Sequence, residues 1–415
     1  MFCMSAVLSH PNIVVIGYVW PEPASSAAGE NMFNLLMAFV EHGWQVTFMT
    51  AASDSSHKAD LAAAGIRSVP IALNCSSFDT QLSALAPDAV VFDRFMIEEQ
   101  FSWRVKQACP QAVRILNTED LHSLRHTRQQ AVKKQQEPHV EFSEPMVQRE
   151  IAAILRCDLS LIISAAEYRL LTETFAVPPA QLLSLPLLIS AAPTHIPPFS
   201  ARQGFMFIGN FRHAPNWDAV LQLKEQWWPA IRQRFGQAQL AVYGAYPAKK
   251  VTNLHNPAQG FHVHGWVKDA RAAISAHRVM LAPLRFGAGI KGKLIGAMQC
   301  GTPSITTTVA TEGIRYPAGW PGAVVDTVDD MARQAVELHN QQTSWNNAAA
   351  RAALIIDEQF ATRANQQRLV NTTESLVTNL TQHRQGLFLQ QLLWHETLRS
   401  TQYMSQWIEA KNATN

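Results

Sequence analysis

The residues best suited to chemistry lie in one short run, Arg285-Phe286-Gly287-Ala288-Gly289-Ile290-Lys291-Gly292-Lys293. The apolar stretch 279–284 ahead of it reads as a strand, and 291–300 after it reads as a helix. Glycines at 287, 289 and 292 let the main chain approach a ligand. The first turn of the helix offers free N–H groups at the positive end of its dipole. Arg285, Lys291 and Lys293 add charge, and the combination suits a diphosphate. The run is not the GxxxxGK[ST] phosphate loop, because Leu294 stands where that loop needs a hydroxyl, and it is not GxGxxG. The plainer alternative is a tight turn with solvated basic residues.

Other candidates lie in the first half. Asp120 and His122 follow a predicted strand at 112–117, where a loop should face a ligand cleft. Asp93 and Arg94 end the strand predicted at 89–95; they read either as ligand contacts or as an internal ion pair. Glu98 and Glu99 read as a solvated helix start. The small-residue loop 24–29, ending in Gly29, follows the first strand. Its main chain is open to a diphosphate or an acceptor, unless it serves only close packing of helix on strand.

These groups need a frame. Short apolar runs at 13–20, 44–50, 89–95, 112–117 and 159–164 alternate with amphipathic stretches, the βαβα rhythm of a parallel sheet covered on both faces. Residues 186–198, with four prolines, read as a linker. The rhythm restarts with strands at 205–209, 240–244, 261–267, 279–284, 304–308 and 323–326. The fold class is therefore α/β, with two tandem Rossmann-like doubly wound domains, an interdomain cleft and a C-terminal helical tail. The expected divisions are 1–190, 200–385 and a terminal helix at 386–415 crossing back to the first domain. A dimer contact or membrane-surface helix is the lesser option for that segment, leaving peripheral membrane association open. The polar stretch 128–137 reads as an exposed loop.

Composition narrows the class. The chain has 415 residues, 47% of them hydrophobic, and a net charge of +2, which gives no support for a nucleic-acid partner. Five scattered cysteines form no CxxC pair, so a disulfide scaffold or zinc site is not expected. With no leader-like start and no long apolar run, the expected location is cytoplasmic.

A resemblance sharpens this. The segment 282–293, followed by Ala297-Met298, Gly301-Thr302-Pro303, Thr306-Thr307 and Glu312-Gly313, resembles the donor-site block of GT-B glycosyltransferases, in particular the retaining group called family 4. Phe207-Ile208-Gly209-Asn210-Phe211, with His213, Pro215-Asn216 and Asp218-Ala219, is similar to the first strand–loop–helix of the second domain in those enzymes. Tyr243-Gly244 and 263–267 match the landmarks between. In the first half the likeness is weaker and rests on Pro21-Glu22-Pro23, Gly29, Asp120-Leu121-His122 and Arg125.

The resemblance implies a nucleotide-sugar co-substrate, with no other cofactor and no metal. It implies transfer to a hydroxyl acceptor whose identity the sequence leaves open, in glycan or glycoconjugate biosynthesis. No DxD triplet of the metal-holding kind occurs. The charge developing on the leaving diphosphate must then meet protein donors. Lys291, the amides of Gly287, Ala288, Gly289 and Ile290, and Arg212 are the candidates. His122 would hydrogen-bond the sugar or the acceptor hydroxyl, with Asp93 and Asp120 on the acceptor side. Gly29, Gly209, Asn210, Arg285, Lys293, Thr307 and Glu312 complete the expected donor contacts. The family usually places two glutamates around this loop. Here Ala288 or a neighbour replaces the first, and Gly296 replaces the second, the one that holds the ribose. Glu312 is the candidate substitute. Two other activities stay open on the same frame: a non-catalytic donor-binding subunit, and a nucleotide-sugar epimerase or hydrolase.

Overall fold

The computed structural model describes residues 11–139 and 141–395, together with 400, 403, 404 and 407. Seven strands form the first sheet: β1 (Asn12–Gly17), β2 (Gln45–Thr50), β3 (Arg67–Pro70), β4 (Ala89–Asp93), β5 (Val113–Asn117), β6 (Leu159–Ile162) and β7 (Leu182–Ser184), in the order β3-β2-β1-β4-β5-β6-β7. Six form the second: β8 (Phe205–Ile208), β9 (Leu240–Tyr243), β10 (Phe261–Gly265), β11 (Val279–Ala282), β12 (Ser304–Thr306) and β13 (Gly322–Val324), in the order β10-β9-β8-β11-β12-β13. Every pairing between these strands is parallel. In each sheet the order reverses beside the first strand, at β1/β4 and at β8/β11, which opens a crevice at the carboxyl ends.

Both faces of the first sheet are covered. Ile13 and Val15 pack into one apolar cluster and Val14 and Ile16 into another, all fully buried, so alternate residues of β1 serve opposite faces. A third cluster surrounds the second sheet. The segment 186–198 lacks regular structure but is packed: Asn31 accepts from the Leu188 amide at 2.9 Å, and Asn34 donates to the Leu188 carbonyl at 2.8 Å.

Three expectations change. Residues 128–134 are helical, within His122–Lys134. That helix buries only Ser123, Leu124 and Ala131, so its polar remainder hid it. Glu98 is fully buried, paired with Arg156. The chain returns to the first lobe at Thr362–Gln385, upstream of 386: Leu369, Val370, Leu376 and Leu380 join the first lobe's core, and Arg384 clasps Asp158 at 2.8 Å. The helix Phe388–His395 then packs on Pro145–Arg156. Most of the terminal segment beyond it, including Leu398, lies outside the described residues. No described helix is long and apolar enough to cross a membrane.

Candidate active site

The main chain leaves β11 at Ala282 and enters the helix Gly292–Gln299 ten residues later. The loop between them lies against the first lobe. Gly289 has φ +62°, and a Cβ there would sit 2.8 Å from the Asp120 Cβ and 2.9 Å from Ile163 Cδ1. At Gly292 an added Cβ would come within 2.1 Å of the Ala27 Cβ. Both positions require glycine because the two lobes meet there. The loop is therefore covered rather than open: Ala288, Ile290 and Lys291 are each 8% exposed.

Its amides are largely unspent. Gly289 N donates to Glu167 Oε1 at 2.7 Å. The amides of Ala288, Ile290, Lys291 and Gly292 donate to no acceptor among the described residues. Buried main-chain donors normally find partners. Lys291 arches over the same loop, with Nζ 2.9 Å from the Gly289 carbonyl. Burial lowers the Lys291 pKa, while the Glu312 and Glu167 carboxylates oppose that drop.

The other expected donor contacts are arranged differently. Arg285 is exposed and pairs with Asp218, Nε lying 2.9 Å from Oδ2. Lys293 points to Asn216 Oδ1 at 2.5 Å and lies 4.2 Å from the Phe207 ring centroid; burial pushes its pKa down to about 7. Gly209 leaves space for the Asn216 side chain, and Asn210 Oδ1 accepts from the Arg212 amide at 2.9 Å. The Arg212 guanidinium lies 3.6 Å from the Tyr246 ring centroid. Thr307 donates to the Leu284 carbonyl at 2.5 Å. Glu312 takes both oxygens to Arg128, at 2.5 and 2.7 Å, and Arg128 also reaches the Gly287 carbonyl at 2.8 Å. Glu312 is thus committed to the opposite lobe in this structure. Gly29 donates its amide to the capping Ser26 hydroxyl at 3.0 Å and gives room to the Glu22 main chain, a packing arrangement.

Across the crevice, Asp120 pairs with Arg125 and lies 3.6 Å from His122 Nε2. Burial raises the Asp120 carboxyl, but Arg125 and His122 outweigh it and hold the pKa at about 2. Burial and Arg125 drive His122 down to about 3, so its imidazole is neutral at pH 7. His213, from the second lobe, feels the same charges and is lowered to about 4, with burial the leading cause. Asp93 turns inward: Oδ2 accepts from the Tyr18 amide at 3.1 Å and Oδ1 lies 3.9 Å from Arg94 Nε. Burial raises its pKa. Arg94 and Glu119, at φ +73° and +61°, carry backbone strain at the ends of β4 and β5.

Three residues not singled out from sequence take part. Glu150 accepts from the His122 amide at 2.8 Å and the Ser123 amide at 2.9 Å, satisfying the first turn of the helix that carries His122. Arg128 and Glu167 bridge the lobes. No spacing signal marks them, because their partners lie 27 to 184 positions away.

Comparison with known proteins bears on the fold. Residues 202–341 match the family model described as Glycosyl transferases group 1. No curated protein matches the chain in sequence. Among solved structures, HepE of Anabaena, in complex with UDP and glucose, superposes with a TM-score of 0.68 at 12% identity, over 88% of this chain and all of that one. Sucrose-phosphate synthase of Thermosynechococcus elongatus gives 0.65 at 14% identity, over 89% of this chain and all of that one. WaaG, a glycosyltransferase of lipopolysaccharide biosynthesis, gives 0.60 at 12% identity, over 86% of this chain and 98% of that one. The chain has the GT-B fold of these glycosyltransferases, and its residues 202–341 match the glycosyl transferases group 1 model.

Proposed function

We propose that the enzyme moves a sugar from a nucleotide-sugar donor to a hydroxyl acceptor, with retention at the anomeric carbon and with protein groups, not a metal ion, meeting the diphosphate charge. The observation that carries this is the convergence of four unspent amides with the Lys291 ammonium at one helix start. Fixed donors in a water-poor crevice stabilise charge as it develops on a leaving group and need no reorganisation. A neutral His122 is suited to hydrogen-bonding a sugar or acceptor hydroxyl, with ionised Asp120 beside it. HepE, crystallised with UDP and glucose, supports the choice of donor class. The lobes must part to admit a donor, since the loop is covered, and closure would then exclude water.

The test is release of nucleoside diphosphate from a panel of UDP-, GDP- and TDP-sugars, with and without cell extract as acceptor source. Release that depends on acceptor is expected. Release at the same rate without acceptor contradicts transfer.

A further inference from the structure

Glu167 lies at the carboxyl end of β6, inside the crevice, with 1% of its surface exposed. Its Oε1 accepts two main-chain bonds, from Leu121 N at 3.0 Å and Gly289 N at 2.7 Å. These fix the carboxyl between the acceptor-side loop and the apex of the donor loop. Its Oε2 is buried and has no hydrogen-bond partner. Leaving such an atom unpaired is unfavourable, so the position is costly unless something fills it during the catalytic cycle.

We propose that Glu167 is a specificity-determining residue, whose Oε2 takes a hydroxyl of the transferred sugar once the donor diphosphate is seated on the neighbouring loop. The proposal rests on the donor-site reading above. Three observations support it. The carboxyl holds the amide of Gly289, whose chain neighbour Ala288 has no polar side chain of its own. It shares the crevice with Asp120 and Lys291, whose charges act on it. Burial, with Asp120 adding to it, raises its pKa to about 8. The group is then a neutral acid near pH 7, able to donate through Oε2 to a sugar oxygen while Oε1 keeps both amides. A neutral donor suits a hydroxyl and avoids repulsion with the diphosphate.

Glu167→Gln and Glu167→Ala separate this role from a strut. Gln keeps one oxygen for the two amides and places an N–H donor where Oε2 stood. The probes are free UDP and GDP, by calorimetry, and the best nucleotide sugar of the panel with its series of single-deoxy sugar analogues, by turnover. Wild type should discriminate against one deoxy position by roughly tenfold or more, in line with the loss of one sugar-specific hydrogen bond. Glu167→Ala should lose that discrimination while binding the free nucleoside diphosphate within about threefold of wild type, and Glu167→Gln should restore most of it. Unchanged discrimination in Glu167→Ala, or equal losses for every analogue and for the free nucleoside diphosphate, would overturn the proposal in favour of a strut. Failure of the wild type to bind any nucleoside diphosphate would overturn the donor-site reading itself, a separate result.

Discussion

The two walls of the crevice are built on different principles. The wall of the second lobe is main chain: free amides on a glycine loop, with one lysine folded over it. The wall of the first lobe is side chain: half-buried Asp120 and His122 with buried Glu150 and Glu167, mostly satisfied by one another's elements. A diphosphate presents the same oxygens whatever sugar it carries, and main-chain donors recognise that invariant part. Sugars and acceptors vary, and side chains provide the variable part. Substitutions in the two walls should therefore fail differently.

The largest effect is expected at the loop apex. Gly289→Val would force a β-branched residue to φ +62° and drive its Cβ into Asp120. The strain alone costs about 1–2 kcal/mol, and the displaced loop should lower kcat by roughly 100-fold. Lobe folding, followed by far-UV circular dichroism, should survive. Next comes Glu150→Ala, which strips acceptors from two amides at the start of the His122 helix. Thermal unfolding should show about 2–3 kcal/mol lost, with kcat falling alongside. The Glu150 pKa is raised from 4.5 to about 7, chiefly by burial. The folded state therefore holds a proton that the unfolded chain releases. This contribution is fully present below about 4.5 and is lost as pH rises through about 7. Glu150→Gln should flatten the fall in melting temperature between pH 5 and 8, while the raised Glu119 and Glu167 keep part of it.

Arg128→Ala comes third. It removes the clasp between Glu312, the Gly287 carbonyl and the first lobe. Because the pair is partly exposed, a KM increase of about three- to tenfold is expected, with kcat little changed. Arg285→Ala should do least. Its ion pair with Asp218 faces solvent, so stability should change by less than about 1 kcal/mol, and turnover should stay at the wild-type level. A large loss of turnover would restore Arg285 to the donor site and weaken the contrast between the walls.

The same contrast explains what the sequence made legible. Strands such as β1 and β4 are continuous apolar runs, and the glycine loop announces itself by spacing, because main-chain recognition needs glycine at fixed intervals. The edge strand β3, with exposed Arg67 and Ser68, and the three-residue β7 carry too little pattern to be seen. Arg285 was legible as charge, but its direction depends on Asp218, 67 positions away. Glu150 and Glu167 were invisible because a buried carboxylate's value comes from partners that only folding assembles. The helical return at Thr362 was likewise masked by a polar stretch whose few apolar residues match a surface that is distant in sequence.

The central claim is that the 287–292 main chain and Lys291 hold a diphosphate. Calorimetric titration of UDP and GDP into wild type and Lys291→Ala tests it directly, with melting temperature as the control for folding. The account predicts saturable binding of one of them to wild type, a fall in affinity of at least about tenfold in the variant, in the range of a lost charge-assisted contact, and unchanged melting behaviour. Equal affinity in the two proteins would contradict it.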